Sequence, residues 1–285
     1  MHHGATGSTP WQHLRERTLI RRISQLLLWL IPLPFLTSAY ASGKLQRYIV
    51  AGVLQGGLIA AAAWVLANQR RNRSIVTGRP ESLVAASLLV ANWAVTSLAL
   101  NMEAPPRGAA WLASLFDQQL RYYALVAGGL IALAGLALLA ARLHDAGERA
   151  LPILAFTAAV VSQLLFTILF LVLPHATTAR FNHEVQYGAA AGWWATFGAA
   201  FSSMQVVQRV LIYLAMILYA VSSRRAALMG RRAMACLVSL TALMALANLA
   251  VHIPPAVPLV LPYLAGVLLL SGSGAEQSTQ SRTTD

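Results

Sequence analysis

Polar side chains recur along three otherwise apolar segments at spacings of four, seven or eleven residues, which return to nearly the same side of a helix. The first group is Asn92, Thr96 and Glu103, the second is Gln205 and Arg209, and the third is Thr241, Asn248 and His252. A polar group buried in lipid is costly, so each face should meet protein, water or a ligand. We therefore predict a solute-binding site on these faces, in the outer half of the membrane, because all three groups become more polar towards the outer surface. Its predicted residues are Glu103, Arg209, Asn248, His252, Asn92 and Gln205, with His175 at the rim.

Among the residues of this predicted site, Arg209 has the greatest need of a partner, because its guanidinium stays charged and requires an anionic or carbonyl group. Glu103 lies at a comparable depth on another predicted helix, and Glu184 is the alternative partner. The sequence allows two other interpretations. In one, Arg209 extends its side chain to the lipid headgroups. In the other, the amides and hydroxyls only join neighbouring helices by hydrogen bonds.

His175, His183 and His252 suggest a second chemistry, because imidazole is a common ligand of haem iron and other metal ions. His183 and Glu184 are adjacent and would suit acid–base work on a lipid-linked substrate. His175 and His252 also stand close to prolines, where helices commonly end, so each has an ordinary structural interpretation. Neither a cofactor nor a catalytic residue can be assigned from these side chains alone.

The composition indicates which elements must hold these residues. Hydrophobic residues make up 58% of the 285 positions and charged residues 11%, whereas soluble domains carry about 25% charged residues. About twenty apolar residues cross a bilayer as a helix, and eight stretches qualify. They are Ile23–Ser42, Tyr48–Ala67, Leu83–Met102, Tyr122–Ala141, Leu151–Pro174, Val206–Ser222, Ala233–His252 and Pro255–Leu270. We predict an all-α fold, a polytopic integral membrane helical bundle of about eight transmembrane helices.

The basic residues alternate between the two sides of this predicted bundle. Fifteen of the 21 Lys and Arg residues fall in segments that would share one side, and five fall on the other. The larger group consists of Arg15, Arg17, Arg21, Arg22, Arg70, Arg71, Arg73, Arg79, Arg142, Arg149, Arg224, Arg225, Arg231, Arg232 and Arg282. Because short cytoplasmic loops accumulate Lys and Arg, we predict an inner (plasma) membrane protein with both termini in the cytoplasm.

Three segments allow more than one interpretation. The last candidate span is short and holds Pro258 and Pro262, so seven spans plus a re-entrant hairpin is the alternative to eight. Gln186–Met204 is apolar enough for a ninth span, but we predict an interfacial helix at the outer surface that leads into the sixth span, with Trp193 and Trp194 at the lipid headgroups. Residues 1–41 resemble a cleavable signal peptide, although we expect the first helix to be retained.

The predicted organisation is one membrane domain with short polar ends. Residues 1–22 form a basic cytoplasmic segment, residues 23–270 the helical domain, and residues 271–285 a disordered tail. The net charge of +12 suits loops that face anionic lipid headgroups, so membrane lipids and not nucleic acid are the predicted partners. The small-residue pairs Gly52/Gly56 and Gly128/Ala132 favour close packing within the chain, with a homo-oligomer or a membrane-protein partner as the alternative.

Three classes of function fit this sequence. Nearly charge-free spans with scattered amides and one Arg favour a permease or facilitator for a small neutral, amphipathic or anionic solute. One alternative is an outer-face membrane enzyme or a haem- or metal-binding protein that uses His175, His183, Glu184 and His252. The other is a non-catalytic sensor, assembly factor or complex subunit. Common motifs of nucleotide, zinc-protease and serine-hydrolase sites are absent, and the sole cysteine, Cys236, excludes an iron–sulfur cluster held by this chain alone.

Overall fold

The computed structural model describes residues 10–31, 45–77, 81–100, 102, 105–250 and 256–271, and the elements within these ranges are all helices. In chain order they are α1 (Pro10–Leu30), α2 (Leu45–Thr77), α3 (Glu81–Leu100), α4 (Ala109–Ala113), α5 (Leu115–Asp145), α6 (Ala150–Tyr187), α7 (Trp193–Arg225), α8 (Arg231–Ala250), a 3-10 turn (Val257–Leu259) and α9 (Val260–Ser271). The predicted all-α fold is therefore confirmed over the described residues.

Five of these helices, α3, α5, α6, α7 and α8, are long and apolar enough to cross a membrane. Two shorter apolar stretches, Gly52–Asn68 within α2 and Val257–Ser271, fall below that length. The helices thus have the length and composition of a multi-helix membrane protein. The predicted number of eight spans is not confirmed.

Successive long helices run in opposite directions, so their connections alternate between two ends of the bundle. On α3 and α5, Leu89 meets Gly135 and Thr96 meets Gly128, which is an antiparallel pairing. The connections at 146–149 and 226–230 lie at one end, and the turn at 188–192 lies at the other. We name the first the arginine-rich end, after Arg142, Arg149, Arg224, Arg225, Arg231 and Arg232.

Glycines allow the central helices to approach closely. A Cβ atom at Gly128 would overlap Thr96 Oγ1 on α3, and one at Gly135 would lie 2.9 Å from Leu89 Cδ2. A Cβ atom at Gly266 of α9 would lie 2.8 Å from the carbonyl oxygen of Ala86. The small-residue pair that begins at Gly128 therefore serves packing within the chain, because small residues let helix backbones meet.

The last helix, α9, is short but lies in the interior of the bundle. All its residues from Val260 to Leu270 are buried, and the ring of Tyr263 packs 5.8 Å from that of Trp93. The hydroxyl of Tyr263 donates to the carbonyl oxygen of Leu28 on α1. At its C-terminal end, Arg21 Nη2 donates to the Ser271 carbonyl oxygen at 3.1 Å. These contacts join the first and last described helices of the chain.

Two predicted boundaries at the end opposite the arginines are wrong. Gln186–Met204 is not a separate helix, because α6 runs to Tyr187 and Trp193 begins the continuous helix α7. Residues 193–225 contain no proline, so no residue in them forces the helix to end. The helix that contains the fifth predicted span does not end at Pro174 either. α6 continues through this proline for another thirteen residues, and Thr178 Oγ1 donates to the Pro174 carbonyl oxygen at 2.7 Å.

Other predicted boundaries change less, or lie outside the described residues. The first helix begins at Pro10 and not at Ile23, and the rest of the first predicted span, from residue 32 to Ser42, is outside the described part. The predicted tail beyond Ser271 is outside it as well. In both cases the sequence-based expectation stays a prediction.

Candidate functional site

Helix α7 carries Arg209 at its midpoint. The residue stands sixteen positions from each end of the helix, which is about 24 Å of helix on either side. Its side chain is 5% exposed and points towards α8. A side chain that extended to the lipid headgroups would be exposed at its tip. The headgroup interpretation of Arg209 is therefore wrong for this structure.

The guanidinium of Arg209 is held by two neutral amides. Nη1 donates to Asn248 Oδ1 on α8 at 3.0 Å, and Nη2 donates to Gln205 Oε1 at 3.3 Å, one turn earlier on α7. The amide of Asn248 in turn donates from Nδ2 to the hydroxyl oxygen of Tyr213 at 3.1 Å. Gln205, Arg209 and Tyr213 share one face of α7 because they are four residues apart. The result is a polar chain, Gln205–Arg209–Asn248–Tyr213, that joins α7 to α8.

The positive charge of Arg209 has no carboxylate partner among the described residues. Its Nε atom is buried and makes no hydrogen bond there. Glu184, the predicted alternative partner, instead accepts from Arg180 Nε at 2.6 Å. The prediction that Glu184 pairs with Arg209 is wrong, because Arg180, four positions earlier on the same helix, forms the ion pair with Glu184. Glu103 and His252 lie outside the described residues, so their parts in the site stay predictions.

Asn92 is not joined to this chain of hydrogen bonds. It is fully buried on α3, and its Nδ2 donates to the carbonyl oxygen of Leu89 in its own helix. Its Oδ1 atom and Thr96 Oγ1 find no partner among the described residues. Both residues belong to the α3 surface that Gly128 of α5 packs against. The predicted residues therefore belong to two different helix interfaces. The spacing of polar residues along a helix did not predict this division, because it does not show which neighbouring helix they face.

Of the other predicted polar residues, His183 makes contacts close to the turn between α6 and α7. His183 Nδ1 lies 2.9 Å from the carbonyl oxygen of Ala189, and its ring packs against Tyr187. The guanidinium of Arg180 lies 4.7 Å from the ring centre of Trp194, in the cation–π range. His175 is exposed on the outside of α6. Within the described ranges, no three His, Cys, Asp or Glu side chains are close enough to hold a metal ion.

The sequence-based set missed Tyr213, although a signal for it was present. Tyr213 is four residues beyond Arg209, as Gln205 is four residues before it, so all three fall on one helix face. An aromatic residue in an apolar run is most often part of the core, and Tyr213 is indeed 5% exposed. Its hydroxyl nevertheless needs a partner when it is buried, and Asn248 is that partner.

The geometry suits the recognition of an acceptor group more than bond-breaking chemistry. The residues around Arg209 are amides and a phenol, none of which serves as a general base near neutral pH. A guanidinium presents paired donors that match the two oxygens of a carboxylate. Comparison with protein-family models, with curated proteins and with solved structures finds no match to the chain. The residues themselves therefore carry the functional argument.

Proposed function

We propose that the protein is a multi-pass inner-membrane permease or facilitator for a small anionic solute that binds at Arg209. Under this proposal the arginine-rich end and both termini face the cytoplasm, because short cytoplasmic loops accumulate Lys and Arg. Membrane lipids surround the bundle, and its remaining helices complete the predicted set of eight spans. Eight alternating spans would put the first and last ends of the chain on the same side.

One observation carries this proposal: Arg209 is buried, fixed by neutral groups and not balanced by a carboxylate among the described residues. A charged group within the membrane is costly and commonly marks the route of a substrate or ion. An incoming carboxylate would offset this cost, because the attraction of opposite charges is strong where water is excluded. The Nε atom of Arg209 makes no hydrogen bond to a described residue.

The position of Arg209 along α7 also supports access of the solute to this residue from the outer side of the membrane. Arg209 stands about 24 Å from the arginine-rich end of α7, and Asn248 stands about 25 Å from the start of α8. The hydrocarbon core of a bilayer is roughly 30 Å thick. With the arginine-rich end at the inner headgroups, the polar chain would lie in the outer half of the membrane.

Thermal unfolding of the detergent-solubilised protein tests binding, with acetate, propionate and benzoate as probes and chloride as the reference anion. A ligand that binds only the folded state raises the unfolding temperature with concentration. We expect at least one carboxylate to do so, Arg209→Gln to abolish the effect and Arg209→Lys to weaken it. Arg225→Gln, at an exposed position of the arginine-rich end, is the matched control and should keep it.

Uptake of the radiolabelled carboxylate into proteoliposomes then tests transport. We expect uptake by the wild-type protein and by Arg225→Gln, and background uptake by Arg209→Gln. An equal carboxylate response in Arg209→Gln and the wild type would contradict the proposed anion site. A Soret absorption band in the purified protein would instead favour the haem-binding alternative.

A further inference from the structure

The polar chain around Arg209 lies beside a surface of the bundle that is exposed and apolar. Val210 follows Arg209 on α7, and its side chain is 57% exposed. Leu249 follows Asn248 on α8, and its side chain is 86% exposed. Because α7 and α8 run in opposite directions, the residues that follow two facing positions lie on the same side of the contact. Val206, four residues before Val210, is 58% exposed and shares this side. In a membrane, lipid would therefore meet the bundle next to the hydrogen bond between Arg209 and Asn248.

The half of α8 that carries Asn248, remote from the arginine-rich end, makes few buried contacts. The buried side chains of α8 are those of Leu237 and Thr241, both within its first eleven residues. From Ala242 to Ala250 every side chain is at least partly exposed. Segments with few buried contacts open at a low free-energy cost. This half of α8 is therefore well suited to separate from α7 while the other half stays packed.

A ligand of Arg209 must keep most of its body outside the bundle. The side chain of Arg209 is 5% exposed, so neighbouring atoms fill the space around its guanidinium. A carboxylate that enters between α7 and α8 displaces Asn248 Oδ1 from Arg209 Nη1 and accepts from two donors of the guanidinium. The rest of such a ligand then lies in hydrocarbon, where polar groups are costly and apolar groups are not. The position of Arg209 therefore favours a carboxylate with an apolar tail.

An apolar strip on α7 leads from Arg209 towards the centre of the membrane. Val210 and Leu214 are four residues apart, so they share one side of the helix, and both are exposed. In the orientation proposed above, Arg209 lies in the outer half of the membrane, and the direction from Val210 to Leu214 leads towards the arginine-rich end. An acyl tail whose carboxylate lies at Arg209 extends in the same direction, because apolar chains avoid the water at the membrane surface. The guanidinium and the strip thus match the two ends of an amphipathic carboxylate.

We propose that the solute bound at Arg209 is an amphipathic carboxylate with a medium-length acyl tail, which enters sideways from the outer leaflet between α7 and α8. The carboxylate accepts from the guanidinium of Arg209, and the tail lies along Val210 and Leu214 in contact with lipid. This inference rests on the proposed anion site and names the class of solute that the site takes. An alcohol with the same tail is not a ligand, because it brings no negative charge to the buried guanidinium.

Photo-crosslinking in phosphatidylcholine nanodiscs, at a mildly alkaline pH that ionises the probe acid, tests this inference. The probe is decanoic acid with a diazirine in the middle of its tail, and decanol with the same diazirine is the matched probe. The exposed Leu164 of α6, about 21 Å from the start of that helix, reports the general contact of both probes with the bundle. Relative to Leu164, we expect the acid to label residues 206–214 at least fivefold more than the alcohol does. An excess of unlabelled decanoate should remove this difference.

Two arginine variants identify the charge that the acid requires. Arg209→Gln should lower the labelling of residues 206–214 by the acid to the level of the alcohol. Arg225→Gln removes a charge at an exposed position of the arginine-rich end and should keep the acid labelling. The comparison of acid with alcohol in the wild-type protein needs no variant, so it stays valid even where Arg209→Gln fails to fold.

Two results would overturn the inference. They are equal labelling of residues 206–214 by acid and alcohol, and acid labelling that is unchanged in Arg209→Gln. If acetate raised the unfolding temperature of the wild type but not of Arg209→Gln, while acid and alcohol labelled equally, the anion site would stand and the amphipathic class would be wrong. If neither acetate nor decanoate had an effect that depended on Arg209, the proposed function would fail as well.

Discussion

At the scale of single residues, the side chain at position 248 determines whether the positive charge of Arg209 is neutralised by a neighbouring group. Its Oδ1 accepts from the guanidinium at 3.0 Å and its Nδ2 donates to Tyr213 at 3.1 Å, so both halves of the amide are used. An amide bonds the guanidinium without neutralising it. Aspartate has nearly the same shape and would neutralise the charge, while the Tyr213 hydroxyl could reverse its role and donate.

Asn248→Asp is therefore expected to stabilise the empty protein and to prevent carboxylate binding. The introduced charge should raise the free energy of unfolding by about 1.5–3 kcal/mol, the range for hydrogen bonds to charged groups. Because the introduced carboxylate then neutralises the guanidinium of Arg209, added acetate should no longer raise the unfolding temperature. Thermal unfolding with and without acetate measures both effects.

Asn248→Leu is the companion variant and should act in the opposite direction. It removes the acceptor and leaves Gln205 as the hydrogen-bond partner of Arg209 among the described residues, so stability should fall by about 1.5–3 kcal/mol. Equal unfolding temperatures of Asn248→Asp and Asn248→Leu would show that neutralising the charge of Arg209 does not affect the stability of the protein.

At the scale of helices, the contact between α3 and α5 depends on Gly128. A Cβ atom there would meet Thr96 Oγ1 and would lie 3.1 Å from the Asn92 carbonyl oxygen. Because the second atom belongs to the backbone, a rotamer change of Thr96 cannot relieve the whole overlap. Gly128→Ala should lower the free energy of unfolding by about 1–3 kcal/mol, as overpacking of a core does.

Gly57→Ala provides the matched control for that change. Gly57 lies on an exposed face of α2, and a Cβ atom there would have no neighbour within 4 Å. Alanine is the better helix former by roughly 1 kcal/mol, so this variant should be neutral or slightly more stable. Thermal unfolding in one detergent compares the two substitutions, and a similar loss in both would show that the close approach of α3 and α5 is not what matters.

The contacts between helices also separate the features that the sequence could predict from those that it could not. The spacing of Gln205 and Arg209 predicted that they share a face of α7, where a hydrogen bond joins them. A second hydrogen bond joins Arg209 to Asn248 on α8. Periodicity fixes a face but not its neighbour, so the sequence did not predict that Asn92 lies on the surface of α3 that packs against Gly128. The burial of α9 was also missed, because an apolar helix has the same composition whether lipid or protein surrounds it.

At the scale of the whole molecule, the alternating directions of the helices give the orientation proposal a direct test. Reporter domains fused after Arg149 and Arg232 should report the cytoplasm, because both positions lie at the arginine-rich end. A reporter inserted in the turn at 188–192 should report the outer side. Cytoplasmic activity at that turn, or outer-side activity at Arg232, would reverse or break the proposed topology.

The lengths of α6 and α7 have a practical consequence for imaging. With 38 and 33 residues they measure about 57 and 50 Å, well beyond the roughly 30 Å of a hydrocarbon core. In the proposed orientation, the part of both helices beyond the hydrocarbon core ends in the 188–192 turn, where Arg180 contacts Trp194. A particle of 30.5 kDa inside a detergent micelle offers few features for alignment. An antibody fragment raised against this turn would supply a rigid external marker, at a distance from the polar chain around Arg209.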